Sequence, residues 1–259
     1  MPWPLPIPTY KTDLSDEFDQ DLSKWNLIIG PTPENSFELQ YYTDRLENVR
    51  INQTGHLVIT ALKEKEPIIY HDYGWRYTSG KLVSKKSVGY NGIIEARLKL
   101  PSNQCGGAIW PAFGLLMNEE YKNQKDLTDI TIMQHWGCNE NEVSFTLHGR
   151  KRKFYSYNSK KTKSTYMDIS KNDFHVYKLD FNLERYIFFI DDVKIYRLDD
   201  PHELTFMQWF LYKFFGANIF SRSYKIFLSM ALVKNVHPCH LDSSELPAEF
   251  IIDYVRYYE

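Results

Sequence analysis

The sequence is poor in cysteine, in long apolar runs and in excess charge of either sign. Its three cysteines, Cys105, Cys138 and Cys239, are odd in number and widely spaced, which excludes a readable disulfide framework or zinc-ligand pattern and leaves them as buried thiols. No segment approaches the ~18–20 consecutive apolar residues that a membrane-spanning helix needs. The opening Met1-Pro2-Trp3-Pro4-Leu5-Pro6 lacks the charged start and apolar stretch of a signal peptide. Lys and Arg number 31 against 33 Asp and Glu, a formal charge of −2, so a basic nucleic-acid module is disfavoured. For the same reason Lys151-Arg152-Lys153 and Lys160-Lys161-Thr162-Lys163 read as a solvated hairpin rather than a polyanion site. Neither a nucleic-acid partner nor a membrane span is expected.

What is present is alternation. Ile94, Ala96, Leu98 and Leu100 alternate with Glu95, Arg97 and Lys99, which places apolar side chains on one strand face and charges on the other. Further short runs rich in Val, Ile, Phe, Tyr and Leu cover His56 to Ala61, Glu142 to His148, His175 to Phe181, Tyr186 to Ile190, Val193 to Leu198, Lys225 to Leu232 and Phe250 to Tyr258. Asp191-Asp192 has the length of a two-residue hairpin turn, although Asp-Asp suits the required positive φ less well than Asp-Gly. A helical period is suggested only between Leu204 and Phe220, where Met207, Phe210, Leu211, Phe214 and Phe215 would line one face. With no internal repeat and no break in composition, the expectation is one all-β domain over residues 1–259, two packed antiparallel sheets with an apolar insertion near 204–220. Asn52-Gln53-Thr54 is a glycosylation triplet, relevant only to a secreted chain.

Ordered segments carry a family resemblance along nearly the whole chain. They are Ser15-Asp16-Glu17-Phe18-Asp19 with Trp25, Glu47-Asn48-Val49-Arg50, Tyr77-Thr78-Ser79-Gly80-Lys81-Leu82, Gly92 to Pro101, Trp110-Pro111-Ala112-Phe113, Thr146-Leu147-His148-Gly149 and Ile252 to Tyr258. In this order they resemble glycoside hydrolase family 16, the laminarinase and β-glucanase group. The resemblance implies a two-sheet antiparallel β-jelly roll of the concanavalin A-like type, a retaining endo-β-glycosidase ancestry, and secretion.

Asp129-Ile130-Thr131-Ile132-Met133-Gln134 stands where active members carry Glu-x-Asp-x-x-Glu on a bulged strand. Residues i and i+2 of a strand share a face, and one bulge residue returns i+5 to it, so 129, 131 and 134 can point into one cleft. The resemblance implies nucleophile, assisting acid and general acid/base at these positions. Here all three differ. Asp129 is a methylene short of Glu, Thr131 has no charge to orient the nucleophile, and Gln134 has the shape of Glu without its proton chemistry. Asp126 and Glu142 are the nearby acids that could be recruited as replacements. The expectation is therefore a catalytically degenerate member of the family, of the kind represented by its β-glucan recognition proteins, binding a polysaccharide in a remnant cleft.

Candidate carbohydrate contacts are Trp110, Gln134, Trp136 and His148, each of which could instead serve the core. The family's second cleft Trp is replaced by Gly114, and its Asn-Leu-Ala-Val-Gly-Gly run by Ser229-Met230-Ala231-Leu232-Val233-Lys234, which implies remodelled subsites. Glu17 and Asp253 match positions of a calcium site in some members, or are ordinary surface acids; no other cofactor is expected. Two alternatives stand beside this reading. One is an interaction module with a blocked cleft, docking a protein partner through 204–220. The other is a weakly active endo-β-glucanase with displaced carboxylates.

Overall fold

A computed structural model describes residues 8–32, 37–101, 108–118, 127–136, 142–149, 161–166, 173–182, 184–199, 223–234 and 246–259. The apolar stretch 204–220, the basic run 151–160, Asp126 and the three cysteines lie outside them. The described residues form sixteen strands and no helix. In chain order the first eight are β1 (Trp25–Leu27), β2 (Gln40–Tyr42), β3 (Val49–Ile51), β4 (Leu57–Tyr70), β5 (Tyr73–Ser79), β6 (Lys81–Val88), β7 (Gly92–Lys99) and β8 (Ile109–Met117). The rest are β9 (Leu127–His135), β10 (Glu142–Gly149), β11 (Lys161–Tyr166), β12 (His175–Phe181), β13 (Arg185–Ile190), β14 (Val193–Asp199), β15 (Tyr224–Leu232) and β16 (Ala248–Tyr258).

They assemble into two sheets. One runs β1-β6-β15-β8-β9-β10-β11; the other runs β14-β13-β12-β7-β16-β4-β5-β2, with β3 against β4. Neighbours are antiparallel except β2 and β5, which are parallel. This is the expected all-β jelly-roll sandwich. Each strand that alternated in sequence turns its apolar set inward: Ile94, Ala96 and Leu98 of β7 are fully buried, and so are Leu179 of β12 and Phe250 and Val255 of β16. Opposite them lie Phe113, Ile130, Ile132, Met133, Phe145 and Met230 from the first sheet, in the same core cluster. Burying each such side chain stabilises the fold by roughly 1.5–3 kcal/mol.

The turn between β13 and β14 shows how a polar side chain offsets an unfavourable backbone. Asp191 and Asp192 join β13 to β14 with φ of 48° and 63°. Positive φ costs a non-glycine residue roughly 1–2 kcal/mol. Asp191 offsets this by accepting the Val176 N–H through Oδ1 at 2.8 Å and holding His175 Nδ1 through Oδ2 at 2.6 Å. His71 and Asp72, with φ of 48° and 61°, make a second such turn between β4 and β5. Sequence patterning missed that hairpin, because Lys63 to Tyr77 mixes charge, Pro67 and aromatics without a clean period.

Candidate functional site

The site is built on the outer face of the first sheet, at β8, β9 and β10. Its geometry begins with a bulge. Read from β8, Phe113 faces Met133 and Gly114 faces Thr131; read from β10, Ser144 faces Gln134 and Thr146 faces Thr131. Both neighbours thus count one residue too many in β9, and the surplus is Ile132. Ile130, Ile132 and Met133 all enter the core, leaving Asp129, Thr131, Gln134 and Trp136 on the opposite face.

The central groups on this face are nearly enclosed. Thr131 is 6% exposed, Gln134 5%, Ser144 4% and Thr146 0%. Gln134 Nε2 donates to Thr146 Oγ1 at 2.9 Å, across the bulge. His135 sits opposite Val143 on the core side, and its Nδ1–H donates to the Glu142 carbonyl at 2.9 Å. His148 stands directly across from Asp129 in the ladder.

Strand spacing sets what this arrangement can do chemically. Asp129 and Gln134 are paired to His148 and Ser144, four residue steps apart in β10, or about 13 Å at ~3.3 Å per residue. Bringing two carboxyl groups from there to the roughly 5–5.5 Å of a retaining pair requires two side chains as long as Glu leaning together. Asp129 falls a methylene short and Gln134 carries an amide. Glu142 lies on the outer face by alternation with Ser144 and Thr146, but it is six steps from His148. That is about 20 Å from Asp129, beyond both the ~5–5.5 Å retaining and the ~6.5–9.5 Å inverting separations.

Aromatic rings close one end. Trp110 of β8 and Trp136 stack with centroids 4.6 Å apart and planes at 14°. Phe37 adds a third near-parallel ring, 6.5 Å from Trp110 at 26°. Both tryptophans are half-buried, and the Trp110 indole N–H is itself buried, with no acceptor among the described residues. Phe37 was not legible beforehand, because it reaches Trp110 through pairing of 37–39 with the end of β15: Leu39 N–H donates to the Leu232 carbonyl and Lys234 N–H to the Phe37 carbonyl. At Gly114 an added Cβ would lie 2.2 Å from the Ile130 carbonyl oxygen and 2.8 Å from Phe227 Cε1. The bulged backbone and the Phe227 ring thus occupy the space beside a glycine that sequence reasoning had read only as a lost tryptophan. Ser144 and Thr146 did carry a signal, the polar alternation of β10.

The calcium expectation meets a different arrangement. Both oxygens of Glu17 accept the fork of Arg256, each at 2.9 Å, and Oε1 also accepts the Tyr10 hydroxyl at 3.0 Å. Asp253 accepts Arg97 at 2.5 Å and lies 3.6 Å from His56 Nε2. A guanidinium competes with a divalent cation for the same lone pairs, so Glu17 and Asp253 as placed do not fit calcium. No cluster of three or more His, Cys, Asp or Glu with metal-binding spacing occurs among the described residues.

With this geometry in place, comparison with known proteins identifies the lineage. The profile of glycosyl hydrolases family 16 matches residues 37–212. The chain belongs to this family. A beta-glucanase from Rhodothermus marinus is 30% identical over 97% of this chain and 86% of its own length. The crystal structure of the laminarinase from Rhodothermus marinus superposes with a TM-score of 0.75 at 28% identity, covering 98% of this chain and 99% of that one. The laminarinase catalytic domain from Thermotoga maritima MSB8 gives 0.75 at 27% identity, covering 97% and 98%. The family 16 sandwich is therefore retained almost end to end, with Asp129, Thr131 and Gln134 on the outer face of its bulged strand.

Proposed function

We propose that this family 16 chain is a non-hydrolytic protein that holds a β-glucan-like polysaccharide along the outer face of β8, β9 and β10. The observation that carries the reading is Gln134, whose amide lies on the outer face of the bulged strand, at the position the family resemblance assigns to the acid/base, and donates to Thr146. Glycosidic cleavage by retention needs a proton delivered to the leaving oxygen as the nucleophile attacks the anomeric carbon. An amide has no proton to give and cannot afterwards activate water. Glu142 stands about 20 Å from Asp129 along the strands, too far to act as its partner acid.

Binding draws support from a different set of groups. The Phe37, Trp110 and Trp136 stack offers ring surface for the apolar face of a pyranose. The names of the relatives, a beta-glucanase and laminarinases, point to a β-glucan as ligand. The enclosure of Thr131, Gln134 and Thr146 favours a second reading, a covered site in a protein-interaction module.

One experiment separates them. Laminarin is titrated calorimetrically into the wild-type protein and Trp136→Ala, and reducing ends are assayed in parallel. The proposal expects saturable binding, weakened roughly 5–20-fold by loss of the ring, with no reducing ends above buffer. Absence of binding supports the covered-site module, and turnover abolished by Asp129→Ala overturns the non-hydrolytic reading.

A further inference from the structure

The β4–β5 hairpin leaves the sheet. Its base is held on both sides, since β16 pairs β4 only from Leu57 to Ala61 and β2 pairs β5 only from Tyr77 to Ser79. Beyond an irregularity between Lys63 and Ile68, the distal part pairs Ile68 with Trp75, Ile69 with Gly74 and Tyr70 with Tyr73. Among the described residues no third strand joins it there.

A two-stranded ribbon standing in water is expected to be polar. This one exposes Ile69 at 70%, Tyr73 at 61% and Tyr70 at 40%. Directly paired residues share a face, and so do residues two apart. Ile68, Tyr70, Tyr73 and Trp75 therefore form one surface, and the rings are in contact: Tyr73 to Trp75 at 4.9 Å, Tyr41 of β2 to Tyr70 at 5.4 Å, and Tyr41 to Trp75 at 6.3 Å. The Trp75 indole N–H is buried beneath this surface and has no acceptor among the described residues.

The two aromatic surfaces are joined by one short stretch of chain. Phe37 stacks on Trp110, and Tyr41, four residues on, packs into the hairpin cluster; an extended backbone covers that interval in about 13 Å. We infer that the distal β4–β5 hairpin is a second platform for the same glycan, engaging a β-glucan chain only when it is long enough to run past Phe37 and Tyr41. This rests on the glycan-binding reading above.

The chemistry selects a neutral polysaccharide over other occupants. Between residues 63 and 77, Lys63, Lys65 and Arg76 balance Glu64, Glu66 and Asp72, so the hairpin presents no net field to a polyanion. The area that Tyr70 and Tyr73 expose on that surface is on the order of 200 Å² at roughly 200 Å² per large side chain. A stable protein partner needs about 800 Å² on each side. Tyrosine rings instead suit a sugar, with a flat apolar face for its C–H surface and a hydroxyl at the rim for its hydroxyl groups.

The test compares chain lengths. Dissociation constants for laminaritriose and laminarin are measured with the wild type, Trp136→Ala, Tyr70→Ala/Tyr73→Ala and Tyr73→Leu, the last keeping the hairpin apolar without its ring. The hairpin variants should lose roughly 5–20-fold for laminarin and less than about twofold for laminaritriose. Trp136→Ala should weaken both. Hairpin variants that bind laminarin like the wild type, while Trp136→Ala still weakens laminaritriose, would overturn the inference and leave the site reading standing. A wild-type protein that binds neither ligand overturns both.

Discussion

Installing carboxyl groups on the bulged strand is the most direct challenge to the proposed non-hydrolytic reading. In the variant Asp129→Glu/Thr131→Asp/Gln134→Glu, residue 129 gains the methylene needed across the ~13 Å between its strand position and that of residue 134. The new carboxyl at 134 replaces an amide that is 5% exposed and hydrogen-bonded to Thr146. The Thr146 hydroxyl can reverse its role and donate, and burial raises a carboxyl pKa, which suits a general acid. Repositioning the nucleophile is worth on the order of 10²-fold, and an acid/base group roughly 10²–10⁴-fold. Together they lower the barrier by about 5–8 kcal/mol at 1.36 kcal/mol per tenfold. Reducing-end release from laminarin is the assay, with near-ultraviolet circular dichroism to establish that the variant is folded. The triple variant should hydrolyse laminarin at least ~10⁴-fold faster than the wild type, while Asp129→Glu alone should gain nothing measurable without an acid. A folded triple variant as inert as the wild type would refute the claim that the bulged strand keeps a working register.

Three further outcomes follow from the structure. Gly114→Ala should destabilise by about 1–3 kcal/mol in urea melts, because its Cβ meets the Ile130 carbonyl oxygen at 2.2 Å; a loss below ~0.5 kcal/mol would mean that the strands adjust freely. The Arg256 fork holds the Glu17 carboxyl below its ordinary value of 4.5. Its contribution is therefore complete above pH 4.5 and disappears as pH falls through the lower folded-state value. The stability gap between wild type and Glu17→Gln should stay under ~1 kcal/mol, since both partners are substantially exposed, and should vanish in strong acid; a gap that widens on acidification contradicts the pairing. Asp191→Ala should lose about 1–3 kcal/mol, combining positive φ with the lost bond to Val176, whereas Asp191→Gly should lose less, as thermal melts would register.

Local pattern made much of this protein legible. Strand alternation located β7, runs rich in Val, Ile, Phe, Tyr and Leu located β10, β12 and β16, and the Asp191-Asp192 hairpin was visible despite its poor turn chemistry, because such runs stood on either side. The β4–β5 hairpin was not visible: its aromatics serve neither a core face nor a clean period. Glu17 and Asp253 were cation candidates only through the family resemblance, with ordinary surface acids as the alternative, and a resemblance does not reveal charge partners. Arg256 lies 239 residues from Glu17 in the chain and meets it only through the docking of the N-terminal segment on β16.

The sequence by itself determined which groups the bulged strand carries. Periodicity of two and the five-residue interval from 129 to 134 place those residues on one face once a bulge is allowed, and side-chain identity puts a carboxyl, a hydroxyl and an amide there. The tertiary structure decided everything that depends on sheet order. It set Phe37 on Trp110, pushed Phe227 into the space over Gly114 and closed arginines onto the two distal carboxylates. Period and propensity act between near neighbours in the chain, whereas these contacts join strands whose adjacency is settled only when the whole core packs.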